Sequence, residues 1–468
     1  MTSTLALSLR AKLAATVFGL ALAASPVMAQ SIFTPTSDGF VGSVNAGAAE
    51  RGQALSAGGK AVVSGQKLVP GQEITLMRGA KVLNDTPIVV DGEGNFSFEF
   101  EVDAQAVTGL QPIVVIGEKP AAAEVVDLKI SPVVPISGTE KFAVLSEGVA
   151  RGLYQVAYSK KNHALFVASA VGRPPVKESA LSKVDPETLK VVAQVTPDAA
   201  PQKGDKDGGL FAAYGVAVDD ADDTVWVTQT RQNTLAVYKQ SDLSLLKQFE
   251  PGTVSHPRDV VVDNKTGKVY ASSTFTANIE VFDGKTLEKL EPIVAKTTIR
   301  GGEFSAMALD IDVEARKLLT VSNRTDELMI VDLDSGEQKV FPLKGAKAAS
   351  GVAYNHKAGL AYVASQQSDN LLIVNVNDGT VLHDVETGAG ALNVTYDPVS
   401  DLAYVANRVG GTITVVNSNG EIVANLDGGS YPNQLRADGE GNVWAVNKSR
   451  GENDDAGDRI WKISPAAK

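Results

Sequence analysis

A three-strand pattern returns seven times along this chain, and that recurrence restricts the possible folds more than any other feature. Its clearest copy is Val394-Thr395-Tyr396-Asp397-Pro398, then Leu402-Ala403-Tyr404-Val405-Ala406-Asn407, then Thr412-Ile413-Thr414-Val415-Val416-Asn417. Runs of Val, Tyr, Thr and Ile, broken by Asp-Pro and by Gly410-Gly411, read as short strands joined by tight turns. Aligned on the bulky residue of the second strand, the copies fall at Phe166, Trp226, Tyr270, Leu319, Tyr362, Tyr404 and Trp444, spaced by 60, 44, 49, 43, 42 and 40 residues. A period near ~42 residues with four strands per unit predicts a β-propeller, because one unit cannot bury both of its faces and needs neighbours around a ring. The fold class expected is all-β, a seven-bladed β-propeller preceded by a small β-sandwich (Ig-like) domain.

Two further columns fix the register. Ser159, Asp219, Asp263, Asp312, Asn355 and Asp397 stand seven residues before the bulky position, with Asp438 slipped by one; Lys239, Asp283, Asp332, Asn375 and Asn417 stand thirteen after it. Asx and Ser side chains bond their own backbone two residues on, so these columns mark turns after the first and third strands. At the C-terminus, Ile460-Trp461-Lys462-Ile463 reads as a third strand with no room for a fourth before Lys468, while Phe142-Ala143-Val144-Leu145 is an unpaired apolar run before the first unit. The expected closure therefore joins three strands from the end of the chain to one from the start of the ring, removing exposed sheet edges.

Ahead of the ring, residues 1–29 carry Arg10, Lys12, an apolar run and the ending Val27-Met28-Ala29, the pattern of a cleaved secretory signal. Removing them leaves 41 basic against 55 acidic side chains, net charge -14, which argues against an indiscriminate nucleic-acid or membrane binder. No other apolar run approaches ~20 residues, so a soluble periplasmic product is expected. The chain has no cysteine, which rules out disulfides, thiolate metal sites and c-type haem attachment. Residues 30–59, rich in Gly, Ala and Ser, read as a flexible arm. Over 60–117, Phe96, Phe98, Phe100 and Val102 alternate with Ser and Glu in the period of a half-buried strand. This stretch, with its Asp91-Gly92-Glu93-Gly94-Asn95-Phe96 turn, resembles Ig-like modules of bacterial exported proteins, for which a spacer or docking role is implied. Residues 118–140, with Pro120, Pro132 and Pro135, read as a linker, and 141–468 as the propeller.

The second strands Tyr404-Val405-Ala406-Asn407 and Tyr362-Val363-Ala364-Ser365 resemble the YVTN-repeat family. A narrower resemblance, to periplasmic YncE-type proteins, rests on Gly152-Leu153-Tyr154-Gln155-Val156-Ala157-Tyr158-Ser159, Ala164-Leu165-Phe166-Val167-Ala168, Val184-Asp185-Pro186-Glu187-Thr188-Leu189 and Tyr431-Pro432-Asn433-Gln434-Leu435. It spans about two-thirds of the chain. The resemblance implies a non-catalytic seven-bladed propeller, with single-stranded DNA or an outer-membrane uptake system among the implied partners; the N-terminal module is a departure from that pattern.

In a propeller, the second-to-third and fourth-to-first connections open on one face around the channel. In this register Arg173, Arg231, Arg324, Arg408 and Lys448 follow second strands, and Arg151, Arg258, Arg300 and Lys347 approach first strands, while Asp219, Asp220, Asp222, Asp223, Asp310, Asp312, Asp397, Asp401 and Asp438 mark the opposite face. A cationic mouth would attract a phosphate backbone, a carboxylate or an acidic protein loop. Tyr154 and Tyr214 could offer ring faces for stacking, and Asn393 and Asn433 stand where first strands begin. The bland alternative is that Asp259, Glu303, Asp326, Asp369, Asp454 and Asp455, in the same loops, pair with those cations. Extended loops at 172–177, 197–209 and 449–455 cluster in one sector, as a recognition surface or as a shield for the seam.

No nucleophile–base pair appears, since Ser305 and Ser350 lack a histidine partner. The four histidines, at 163, 256, 356 and 383, show no metal-binding spacing, and no cofactor motif is present. The competing enzyme class is a calcium-dependent lactonase, for which Asp259, Glu303, Asn393 and Asn433 would supply oxygen ligands.

Overall fold

The computed structural model describes residues 40–202 and 204–466; the signal-like 1–29 and the first ten residues of the 30–59 arm lie outside the described residues. From residue 142 onward, seven four-stranded antiparallel sheets follow one another, numbered here as blades 1–7. Blade 1 consists of Leu153–Ser159, Ala164–Val171, Glu178–Val184 and Val191–Val195. Blades 2–6 repeat that order over 213–248, 257–294, 306–342, 349–386 and 391–427. Blade 7 takes Pro432–Ala437, Val443–Asn447 and Arg459–Pro465 from late in the chain and Phe142–Gly148 as its fourth strand, paired from Arg459↔Gly148 to Pro465↔Phe142. Successive first strands touch, and that of blade 7 touches that of blade 1. The sheets thus close into a β-propeller.

The bulky column explains why the sheets stack. Phe166, Trp226, Tyr270, Leu319, Tyr362, Tyr404 and Trp444 are all buried, none more than 3 % exposed. Phe166 and Leu181 of blade 1 pack with Val225 and Tyr238 of blade 2, Trp226 of blade 2 with Val269 and Phe282 of blade 3, and Trp444 of blade 7 with Val156 and Leu165 of blade 1. A blade strand is apolar on both faces because both meet a neighbour, and each large side chain so buried contributes about 1.5–3 kcal/mol. The turn columns behave as their chemistry dictates. Asp219 Oδ1 accepts the amides of Ala221 and Asp222 at 3.0 and 3.2 Å, and Asp283 Oδ1 those of Lys285 and Thr286 at 3.0 and 2.7 Å.

Ahead of the ring, Ser43–Ala48, Lys60–Gln66 and Phe96–Glu101 form one sheet; Glu73–Arg78, Lys81–Val82, Ile88–Val89, Gly109–Glu118 and Ala122–Ile130 form a second. Their inner faces share a core that includes Val63, Leu76, Phe96, Val115 and Leu128. Two expectations change here. Part of the 30–59 arm is ordered: Ser43–Ala48 pairs along Lys60–Gln66 and Leu55 is in the core. Its inward positions are Val44, Ala46 and Ala48, too small to give a visible period. Likewise part of the 118–140 linker is the nine-residue strand Ala122–Ile130, which pairs along the whole of Gly109–Gly117.

This N-terminal unit sits against the ring on the face where second strands end. Lys129 Nζ forms an ion pair with Asp369, whose side chain is 3 % exposed, and donates to the Gln366 carbonyl at 2.6 Å. Thr108 Oγ1 donates to Glu386 at 2.5 Å, and Tyr431 Oη to the Gly52 carbonyl at 3.4 Å. Ser137 bridges to Asn425. The contacts fall on blades 5, 6 and 7. No helix among the described residues is long and apolar enough to cross a membrane.

Candidate anion-binding mouth

Each first strand begins with an irregularity. The pairing slips between Leu153 and Gln155, Ala213 and Val216, Pro257 and Val260, Ala306 and Leu309, Ala349 and Gly351, Ala391 and Asn393, and Pro432 and Gln434. A slip of this kind frees backbone amides from the ladder, and buried amides need partners. Side chains from the neighbouring blade supply them. Gln155 Oε1 accepts from Val216 N at 3.1 Å, Asp259 Oδ2 from Leu309 N at 2.9 Å, Asn393 Oδ1 from Leu435 N at 2.8 Å, and Gln434 Oε1 from Val156 N at 2.9 Å. At Gly351 the blades are so close that an added Cβ would lie 2.7 Å from Asn393 Cα. The polar ring at the top of the channel is therefore largely stitching between blades.

This engagement bears on the lactonase ligand set. Asp259 Oδ1 accepts from Val260 N at 3.0 Å and lies 3.7 Å from Arg436. Asn393 is committed to Leu435, and Asn433 donates to the Tyr154 carbonyl at 2.6 Å and accepts from Arg408 at 2.5 Å. Glu303 is half exposed and pairs with Arg324 at 3.3 Å. Asp259, Asn393 and Asn433 line one recess, and Glu303 does not. Among the described residues no group of three or more His, Asp or Glu side chains is arranged to hold a metal ion. His163 and His356 lie at turns on the opposite face, 3.5 Å from Glu187 and 3.2 Å from Asp312.

Above the stitching lies a cationic, aromatic cluster. Tyr154 and Tyr214 stand 3.7 Å apart, ring centroid to ring centroid, tilted by 35°. Lys448 Nζ lies 3.2 Å from the Tyr154 ring centroid. Arg231 Nε donates to Tyr214 Oη at 2.9 Å. Arg408 lies over Tyr431 at 5.1 Å and Arg450 at 5.2 Å. Tyr154, Tyr214, Arg258, Asn393 and Asn433 line one recess at the channel top. Burial, then the charges of Arg408, Arg258 and Arg231, opposed by the Asp458 carboxylate, pull the Lys448 ammonium down to about 7. Burial and the charge of Arg258 lower Arg408, and burial with Arg231 and Arg258 lowers His256. Burial raises the Tyr154 hydroxyl, with the neighbouring Tyr214 adding to it.

The rim is neutralised in some sectors and not in others. Arg151 pairs with Glu178 at 2.7 Å and Arg324 with Glu303. Among the described residues no carboxylate lies within 4.0 Å of Arg231, Arg258, Arg408 or Lys448. Of the residues singled out in the sequence, Tyr154, Tyr214, Arg231, Arg258, Arg408, Asn433 and Lys448 converge, with Asn393 beneath them. Arg173 and Arg324 do not: the first is exposed on its loop, the second is paired in blade 4. The opposite face also carries cations, since Lys161 pairs with Asp223 at 2.8 Å, Lys160 with Glu440 at 2.8 Å and Arg316 with Asp263 at 2.7 Å.

Two aromatic groups of the mouth, Tyr431 and His256, were not among the expected ligand-binding residues, although His256 before Pro257 falls in a mouth loop by sequence. Tyr431 precedes Pro432 and has φ 46°; His256 precedes Pro257 and has φ 51°. Left-handed backbone before proline is doubly unfavourable, and such strain concentrates at functional positions. It aims Tyr431 at Arg408 and stacks His256 on Phe275 at 4.2 Å and 8°. A histidine or tyrosine before proline at the same point of two repeats was the available signal. The extended loops buttress this sector. Val176 bridges to Gly209 and is buried with Ala170, Ala212 and Tyr214, with Tyr154 packed alongside.

No family model matches the chain. It is similar to proteins described as "Uncharacterized protein YncE": 28% identical over 324 residues to that of Escherichia coli K12, and 25% to that of Salmonella typhi, in each case over 65% of this chain and 84% of the relative. Among solved structures it is similar to "Structure of U3-55K", with TM-score 0.53 and 11% identity over 70% of this chain and 99% of that one, a likeness that concerns the fold alone. The similarity to the YncE proteins and the repeated four-stranded sheets agree on a propeller related in sequence to that group.

Proposed function

We propose that this chain is an exported, periplasmic, seven-bladed propeller that acts as a non-catalytic binding or scaffold protein and takes an anionic ligand or partner at its mouth. One observation carries the reading. Arg231, Arg258, Arg408 and Lys448 gather around the Tyr154–Tyr214 pair without a carboxylate within 4.0 Å among the described residues. Four partly desolvated cations that repel one another are a standing cost to the fold, and an anion set among them relieves it. Tyrosine faces beside them suit a ligand that also carries a flat ring. Single-stranded DNA meets both demands; an acidic loop of an outer-membrane uptake protein meets the first. The non-catalytic reading is supported by the oxygen atoms of Asp259, Asn393 and Asn433, which are committed to backbone and arginine donors. We read the N-terminal two-sheet unit as an Ig-like docking module seated beside the mouth.

Titration of the protein with single-stranded oligonucleotides and with an acidic peptide, at several salt concentrations, tests the reading. Three or four phosphate contacts predict a log–log salt slope of about -2 to -3. No binding of either probe at low salt removes the anion-binding reading. Hydrolysis of a lactone that stops on adding EDTA and in Asp259→Ala reverses the non-catalytic assignment.

A further inference from the structure

We propose that Lys448 captures its ligand covalently and reversibly: the mouth takes a small anion that also bears an aldehyde or ketone, and the Lys448 amine forms an imine with that carbonyl. This deepens the anion-binding reading and rests on it.

The geometry sets Lys448 apart from the chain's ion-paired lysines. Lys119, Lys160, Lys161, Lys177, Lys317 and Lys462 each hold a carboxylate, which keeps an amine charged and inert. Lys448 Nζ has no carboxylate and no hydrogen-bond acceptor among the described residues, and rests on the face of Tyr154. Arg408 of blade 6, Arg231 of blade 2 and Arg258 of blade 3 oppose its proton; Asp458 favours it. Asp458 is itself held by the amides of Gly152 and Ser449 at 2.8 and 3.0 Å. Desolvation and neighbouring cations are the two means by which a lysine becomes a nucleophile near neutral pH.

The same arginines that discharge the amine are placed to hold the ligand's anionic group. With the amine free, its lone pair adds to the carbonyl carbon. The two protons shed by nitrogen leave with the carbonyl oxygen as one water, and water reverses the reaction. No oxidant, reductant or cofactor enters. Tyr154 and Tyr214 supply a surface for a planar ligand beside the new bond.

Pyridoxal 5′-phosphate, an aromatic aldehyde with a phosphate, is the probe; pyridoxine 5′-phosphate, which lacks the carbonyl, is its unreactive counterpart. The full chain is incubated with the aldehyde, reduced with borohydride and mapped by mass spectrometry. The expected adduct is at Lys448, at least about tenfold above Lys161 and Lys177, although those two are 48% and 66% exposed. Its yield should rise about tenfold between pH 6 and pH 8 and then level, whereas an ordinary lysine keeps rising. Lys448→Arg, which removes the amine, should abolish that adduct. Adducts spread over exposed lysines, with pyridoxine 5′-phosphate still bound, overturn covalent capture and leave the anion-binding reading standing. If neither compound binds, both readings fall.

Discussion

Asn433 Nδ2 donates to the Tyr154 carbonyl at 2.6 Å while its Oδ1 accepts from Arg408 Nη1 at 2.5 Å. One side chain thereby joins blades 6, 7 and 1 and aims a guanidinium at the mouth. Asn433→Ala should destabilise the protein by about 1–3 kcal/mol, the range for losing a buried bond to a charged group. Asn433→Asp should do more to function, because it sets a carboxylate on Arg408. Binding of a phosphate-bearing probe should fall at least about tenfold in the aspartate variant, read by titration at low salt.

Arg408 and Arg324 both follow second strands, four and five residues after the bulky position of their repeats, but differ in partners. Arg408→Ala removes an unneutralised charge and should weaken anion binding about tenfold, with the salt slope reduced by about 0.7. Arg324→Ala removes a charge already paired with Glu303 and should change both by little. Equal effects from the two variants would mean that the mouth attracts anions by its overall field and not by a built cluster.

Lys448 also gives the fold a pH signature. Its folded-state pKa is lowered to about 7 against an ordinary ~10.4, so the unfolded chain binds the proton more tightly. The cost to the fold is complete below pH 7, shrinks as pH rises from 7 to about 10.4, and is absent above. Lys448→Met should therefore stabilise the protein most at pH 6, by on the order of 1 kcal/mol after allowance for solvent screening, and hardly at all near pH 11. Thermal unfolding across that range checks the sign.

Tyr404 is fully buried, and its hydroxyl makes no hydrogen bond within 3.5 Å among the described residues. Tyr404→Ala should cost about 3–5 kcal/mol through the cavity between blades 6 and 7. Tyr404→Phe should be neutral or stabilising, since it removes an unpaired polar atom. Denaturant titration of the two variants separates packing from hydrogen bonding at this position.

The ion pair between Lys129 and Asp369 tests how the N-terminal unit is held. Lys129→Met leaves a nearly inaccessible carboxylate without its cation and should cost about 1–3 kcal/mol. Faster proteolysis within 131–138 would follow from loosened docking. Unchanged cleavage would place the attachment in the Ser137–Asn425 bridge instead.

What the sequence disclosed follows from what repeats. A buried aromatic recurring near every ~42 residues, and Asx turns at fixed offsets from it, are local signals that the ring reproduces seven times. Features that occur once were harder to read. Ser43–Ala48 hides its period in small side chains, and Ala122–Ile130 is bracketed by prolines. At the mouth, Arg173 and Arg324 look like Arg231 and Arg408 in the alignment; only loop length and the placing of Glu303 separate them. Asp259 and Asn393 offered oxygen ligands in the sequence, yet their oxygens, like those of Gln155 and Gln434, serve amides freed by irregular pairing in the next blade. Pairing slips leave no mark in composition, so that role could not be read from residue type.

The strand Phe142–Gly148 is matched with Arg459–Pro465, and Arg459 Nε reaches Ser146 across 313 residues of chain. Contacts between such distant segments form late and slowly. The ring is thus latched once, by its two extremities, and Lys448, Tyr154 and Asn433 all stand at that latch. An incomplete chain can stack six blades and still lack the cluster, so the capacity to bind arrives only with the final act of folding.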